Sequence, residues 1–288
     1  MLLGQFIING LLQGGFYACL AVPFSIVFGI MGMINLAHGT QVILGAYITY
    51  AVSLALGIDP FLTFPISMVS LFVLGYLIQK YIINLVAKGG LVITSLLTFG
   101  LNLIIINIIL LIWKADYRGT NPWYMGMSFE LSSVTIPYVR LGIFVIAILL
   151  TIVTEIFLRK TETGNAIVAT AMNPRAAQLM GMDIGKTYCL TFAISSALGG
   201  AVGSLFILAN PVSPFSGDNF FVILFVVAIL GGVGSIPGAL LAGLLLGLVE
   251  SLSVVVFDIQ YQKIILSIFC LLILIFLPNG LMGKRIYG

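Results

Sequence analysis

The sequence predicts an all-α integral membrane protein, a polytopic helical bundle of eight or nine transmembrane spans with a short helix pair outside the bilayer. Three observations carry this. Charged side chains are scarce, with 12 Lys+Arg and 9 Asp+Glu making 7% of 288 residues, where a soluble domain carries about 25%. Hydrophobic residues make up 61% and the mean hydropathy is +1.22, so a water-exposed surface of this size cannot be covered. Finally, charge is absent from residues 1–58, 60–79, 89–113, 187–217, 219–249 and 264–283, each long enough for a helix to cross at about 20 residues per span. A barrel is excluded because LLAGLLLGL at 240–248 and LLILIFL at 271–277 are apolar on every face, whereas a barrel strand alternates.

Breaks at Gly, Pro and charge divide the chain into helices near 5–29, 40–57, 61–84, 91–113, 138–158, 187–209, 219–232, 237–257 and 263–277. These use up the length, and the whole chain, 1–288, is expected to be a single transmembrane domain. The opening MLLGQFIING has neither the basic segment nor the small-residue cleavage site of a secretory signal, so the first helix is expected to be retained. Cys19, Cys189 and Cys270 lie far apart in apolar runs and read as packing residues, not as a disulfide framework or metal site.

Eight of the twelve basic residues fall in three connections: Lys80 and Lys88; Arg159, Lys160, Arg175 and Lys186; Lys284 and Arg285. The positive-inside rule makes these cytoplasmic. Lys114, Arg118, Arg140 and Lys263 then lie outside, with Asp59, Asp116, Glu130, Asp218 and Asp258. Nine crossings place the N-terminus outside and eight place it inside; the charge-free first 58 residues leave both open. The outer connection 114–137, with Trp113 before it and Trp123 within it, is expected to lie at the membrane interface, where amphipathic aromatics collect. The cytoplasmic stretch 159–186, RKTETGNAIVATAMNPRAAQLMGMDIGK, reads as helix, turn, helix over 164–172 and 174–182, with Asn173 as N-cap and Pro174 in the first turn.

Catalytic parts are missing. His38 is the single histidine, and the chain has no HExxH, no GxSxG and no clustered cysteines. The run GGVGSIPG at 231–238 lacks the lysine of a phosphate-binding loop, since Ala239 follows it. It reads as a tight turn between helices. The chain is therefore expected to be no enzyme, with no cofactor and no metal.

Polar groups at membrane depth are the remaining source of function. Asn35, His38, Gly39, Thr40 and Gln41 interrupt an otherwise apolar stretch in MGMINLAHGTQVILGAY, 31–47. Either they form a cytoplasmic turn or they line a wet, broken-helix part of a translocation pathway. Glu250, in GLVESL, either ties helices together or faces a substrate path. Glu155 lies four residues before Arg159 and is explained by an ion pair.

FGIMGMINLAHG at 28–39 with GAY at 45–47, TETGNAIVATAMNPRAAQLMGMDI at 161–184, AILGGVGSIPGALLAGLLLGLVES at 228–251 and LPNGLMGK at 277–284 together resemble the inner-membrane permeases of bacterial branched-chain amino-acid ABC importers. The resemblance implies a non-catalytic permease working with a second related permease subunit, two cytoplasmic ATP-binding subunits and an external substrate-binding protein. It makes 159–186 an ATPase-coupling segment, with Gly164, Ala166, Ala171, Asn173, Pro174, Arg175, Ala176, Ala177, Leu179 and Gly181 as candidate coupling residues, and leaves Asn35, His38, Gly39, Gln41 and Glu250 as candidates for the pathway. Asn165 stands where family members commonly carry arginine.

The residues suit coupling. Gly164, Ala166, Ala171, Ala176, Ala177 and Gly181 offer a small surface that can seat in a partner's groove, and Met172, Leu179, Met180 and Met182 offer adaptable apolar contact. The alternative on composition is a solvated helix pair packed on its own bundle. For the chain as a whole, the competing function is an ion-coupled secondary transporter or channel for a small polar solute. The cargo implied is a branched-chain amino acid or a related small amino acid or amide such as urea.

Overall fold

The computed structural model describes residues 2–86, 89–131, 134–257, 259–277 and 280–282. The inner placement of Lys88, Lys284 and Arg285, the outer placement of Asp258 and much of the 277–284 motif lie outside the described residues.

Every predicted span is a helix. They are α1 (Leu2–Met31), α2 (His38–Leu56), α3 (Phe64–Ile78), α5 (Gly90–Trp113), α6 (Tyr138–Lys160), α9 (Ile184–Ala209), α10 (Asp218–Gly231), α11 (Ile236–Val256) and α12 (Gln262–Phe276). A 3₁₀ turn, Pro60–Thr63, leads into α3; a π turn, Gln79–Ile83, and α4 (Asn84–Val86) extend it. Seven of these are long and apolar enough to cross a membrane, counting Pro60–Val86 as one. The other two, α10 and α12, have only 14 and 15 residues. The expected eight or nine spans thus divide into seven of full length and two short apolar helices.

The outer connection holds an element the sequence reading did not include, an antiparallel hairpin of β1 (Ser128–Leu131) and β2 (Val134–Pro137). Its open edge is satisfied by Gln5 of α1, which donates to the Thr135 carbonyl and accepts the Thr135 N–H, both at 2.8 Å. A side-chain amide thus replaces a third strand.

Internal packing groups the chain into two compact units. One comprises Met1–Ser25, Trp123–Ile152 and Val222–Gly288, the other Ile26–Pro122 and Val153–Phe221. In the first, α1 lies on α11 through a reciprocal glycine pattern. A β-carbon on Gly14 would lie 2.7 Å from the Leu244 α-carbon, and one on Gly247 would lie 2.4 Å from the Gly14 backbone. Gly10 with Gly14, and Gly243 with Gly247, are four residues apart, the spacing by which backbones close together in lipid, where burial of apolar surface gives no driving force. Ser251 adds a hydrogen bond to the Phe6 carbonyl at 2.6 Å.

The second unit is built on α2, α3 and α9. Gly203 lies directly against the Val42 carbonyl, and a β-carbon on Gly45 would lie 2.7 Å from the Gly200 α-carbon. Around this contact Thr49 bonds Ser67 at 2.9 Å and Ser204 at 2.5 Å, and Ser67 donates to the Gly45 carbonyl at 3.1 Å. Small residues bring the helices close and hydroxyls bond across them.

Candidate permeation and coupling sites

The polar interruption lies where α1 ends and α2 begins. Asn35 organises it. Its Oδ1 accepts the Ala37 N–H at 3.1 Å, its carbonyl accepts the His38 N–H at 3.2 Å, and its Nδ2 donates to Gln41 Oε1 at 3.2 Å. The Thr98 hydroxyl of α5 accepts the Leu36 N–H and reaches the Ile34 carbonyl, both at 3.1 Å. Thr40 donates to Asn102 Oδ1, also on α5. Asn35, His38, Thr40 and Gln41 are each no more than 2% exposed. Of the two readings of 31–41, a turn in the cytoplasmic solvent does not fit, because the polar groups are enclosed by their own chain.

Depth follows from the partners. Thr98 and Asn102 lie 8 and 12 residues beyond Gly90 on α5, about 12 to 18 Å along that helix at 1.5 Å per residue. A β-carbon on Gly199, midway along α9, would lie 3.5 Å from the His38 ring. The start of α2 therefore sits level with the middle of its neighbours. Irregular backbone at that depth is tolerated only when buried in protein or lining a cavity.

Gly39 faces Gly217, the residue before α10. A β-carbon on Gly39 would lie 2.4 Å from the Gly217 carbonyl oxygen, and one on Gly217 would lie 2.9 Å from the Thr40 nitrogen. Residues 210–217 are tied from above by a two-way backbone bridge between Arg118 and Val212, at 2.8 and 2.7 Å. Arg118 also pairs with Asp116 at 3.5 Å and lies 6.0 Å from the centre of the Tyr50 ring.

Asn35, His38, Gly39 and Gln41 are thus brought together. Glu250 belongs to the other unit and has its own partners. Gln262 of α12 donates to its Oε1 at 3.0 Å, with Tyr17 of α1 as a further polar neighbour. That arrangement fits the reading of Glu250 as a tie between helices.

The stretch 159–186 contains α7 (Glu162–Met172) and α8 (Pro174–Leu179). Asn173 caps α8, its side chain accepting the Ala176 N–H at 3.0 Å, and Pro174 occupies the first position. Thr161 caps α7 through the Gly164 N–H at 3.0 Å, and Asp183 caps α9 through the Lys186 N–H at 3.0 Å. That backbone bond, with the Lys186 ammonium beside it, holds the Asp183 carboxyl below the usual carboxylate range.

The coupling surface needs one correction. Gly164 and Ala177 were expected to meet a partner, but both are buried by the chain's own helices. A β-carbon on Gly164 would lie 2.3 Å from the Phe157 carbonyl oxygen, so this glycine lets α7 fold back against the end of α6. Ala166 and Ala171 are half-buried. Asn173, Pro174, Arg175, Ala176, Leu179 and Gly181 are exposed. Alongside them Met172, Leu179 and Met180 are 77%, 89% and 81% exposed. The outward surface therefore carries large apolar side chains beside Arg175, Ala176 and Gly181, with Gly164 and Ala177 beneath it.

Over residues 6–277 the sequence matches the family described as "Branched-chain amino acid transport system / permease component". The chain belongs to this family of permeases. It is 29% identical over 294 residues to the high-affinity branched-chain amino acid transport system permease protein BraD of Pseudomonas aeruginosa, covering 97% of this chain and 95% of that one. It is 29% identical over 296 residues to LivH of Escherichia coli K12, with the same coverage. A probable branched-chain amino acid transport permease protein LivH of Methanocaldococcus jannaschii is 27% identical over 275 residues, 92% of this chain and 87% of that one. No solved structure matches. The protein is a multi-pass membrane permease, and the reading as an ion-coupled secondary transporter or channel is set aside.

The sequence reading of this permease passed over Thr98, Asn102 and Gly217. For the first two a signal exists. Thr94, Thr98 and Asn102 recur every fourth residue in a charge-free helix and are all buried, a polar stripe facing the chain's own interior. Gly217 carries no such signal, because its role depends on a contact with Gly39, 178 residues away.

Proposed function

We propose that this permease is the membrane-spanning subunit of an ABC importer in the bacterial inner membrane, moving branched-chain amino acids or a related small amino acid or amide such as urea. It acts with a second related permease subunit, two cytoplasmic ATP-binding subunits and an external substrate-binding protein. Residues 1–288 serve as one permease domain without ATP hydrolysis of their own. The observation that carries the reading is the family match across 6–277, and the high-affinity transport systems named for BraD and LivH give the cargo class.

The geometry supplies a means. Asn35, His38, Gly39 and Gln41 form a buried polar patch at mid-depth that a small polar solute can use in place of water. The cytoplasmic surface at Met172, Leu179 and Met180 is the ATPase contact, because an apolar surface of this exposure in water calls for a partner. The GGVGSIPG run supports the absence of a nucleotide site. Gly232 and Gly234 have φ of +90° and +79°, and Ser235 caps α11, accepting the Gly238 N–H at 3.1 Å. It is built as a turn. The test is reconstitution of the complex with its binding protein in vesicles and measurement of ATP-driven uptake across labelled amino acids and urea. Leucine-class uptake that needs all components is expected; uptake by the purified chain alone, driven by an ion gradient, overturns the assignment.

A further inference from the structure

We infer that the first turn of α2 binds the carboxylate of the cargo, with Gln41 as the side-chain donor. The inference rests on the permease reading and names the chemistry of its polar patch.

Three observations converge. The first turn of a helix presents unbonded N–H groups and the positive end of its dipole. Here Gly39 and Thr40 are such residues: among the described residues no backbone carbonyl accepts their N–H groups, whereas those of His38 and Gln41 are taken by Asn35 and Ala37. Independently, Gln41 is 1% exposed and its Nε2 has no hydrogen-bond partner. The Gln41 amide sits at the same turn, because its oxygen accepts from Asn35, which lies ahead of the helix. A buried, unmatched donor is costly and calls for an acceptor. The Gln41 Nε2 and the Gly39 and Thr40 N–H groups are donors, so together they select an anion over a cation. No carboxylate, lysine or arginine is among Asn35, His38, Thr40, Gln41, Thr98 and Asn102, so the recognition is assigned to the Gly39 and Thr40 N–H groups, the Gln41 amide and the helix dipole.

The site is covered in this structure. Gly217 lies over the Thr40 nitrogen and Gly39, and no β-carbon separates the two backbones. A cargo carboxylate reaches the donors only when 210–217 withdraws, and the Arg118–Val212 bridge is the tie that holds this segment.

The experiment uses the intact complex in vesicles and measures leucine uptake and ATP hydrolysis together for wild type, Gln41→Leu and Gln41→Glu. A lost hydrogen bond to a charged group weakens capture by about tenfold or more, so leucine moved per ATP falls by that factor in Gln41→Leu and further in Gln41→Glu, where two negative charges meet. Hydrolysis stimulated by the loaded binding protein persists. An unchanged ratio in both variants overturns the inference. In parallel, labelled leucine bound to the wild-type permease complex in detergent, without the binding protein, is competed with 4-methylpentanoate, 3-methylbutylamine and acetate. The branched acid is expected to compete at least tenfold better than the amine; equal competition overturns the inference even if the variants fail to assemble. Acetate matching the branched acid would show a general anion site and also overturn it. Wild-type complex that transports no amino acid at all refutes the permease reading and is distinguishable from each of these.

Discussion

Leu179→Asp tests the docking surface directly. Leu179 is 89% exposed, so in the isolated permease the change costs within about 0.5 kcal/mol, as for other surface sites. If an ATPase groove covers this residue, the same change removes about 1.5–3 kcal/mol of leucine burial and places an unpaired carboxylate in an apolar contact, at about 3–5 kcal/mol. The sum, about 4.5–8 kcal/mol, corresponds to a loss in affinity of at least about a thousandfold at 1.4 kcal/mol per factor of ten. Met180→Asp should behave alike. By contrast, Ala177→Glu is a poor probe. Ala177 is only 4% exposed, and a glutamate there disrupts the permease before any partner is met. The assay is the ATPase retained on affinity-purified permease in detergent, with the permease's own melting temperature measured alongside. A full complement of ATPase on both Leu179→Asp and Met180→Asp, with normal uptake, refutes the argument that this surface is the coupling contact.

Further outcomes follow from the packing. Replacing Gly247 by leucine drives a side chain into the Gly14 backbone, 2.4 Å from where its β-carbon must sit; destabilisation of about 1–3 kcal/mol or more should appear as a lower melting temperature in detergent. Asn102→Leu leaves the buried Thr40 hydroxyl without its acceptor and should cost about 1–3 kcal/mol, whereas Asn107→Leu, at an exposed position of the same helix, should change little. In a cysteine-free background, Glu162→Cys should resist an impermeant thiol reagent in intact cells and react in inverted vesicles. The capping carboxylate Asp183 has its folded pKa below the unfolded one. Its contribution is therefore present above the ordinary carboxylate pKa and is lost as pH falls through that range and below the folded value, so Asp183→Ala should lower the melting temperature at neutral pH and lose that effect in acid.

The helical fold was legible because lipid leaves the backbone few choices: charge-free runs of crossing length must be helices, and Gly, Pro and charge mark their ends. The predicted 187–209 and observed Ile184–Ala209 differ by one turn, set by the Asp183 cap. Three things could not be read. The hairpin at 128–137 depends on Gln5, 130 residues from Thr135, to satisfy its edge. The depth of the Asn35–Gln41 break depends on which residues of α5 and α9 lie beside it, and local composition favours a turn slightly over the broken helix. The inward face of the coupling segment was misassigned because small residues serve either a partner's groove or a close fold-back, and only the contact of Gly164 with Phe157 distinguishes the two.

A physical route joins the two candidate sites within one compact unit. The helices α7 and α8 lead through Asp183 directly into α9, a single helix of 26 residues and about 39 Å. Midway along it, Gly199, Gly200 and Gly203 rest on the first turns of α2, where Gly203 meets the Val42 carbonyl and Gly199 lies beneath His38. Contacts between backbones have no side-chain rotamers through which displacement can dissipate, so α2 must follow a shift of α9 or the packing must break. The far end of α9 continues into 210–217, whose Gly217 covers Gly39. If an ATPase docks at Leu179 and Met180, a push there reaches both the polar break and the 210–217 segment over it through one helix. In this reading, the glycines that bring the backbones together also make the movement of an external ATPase felt at mid-depth.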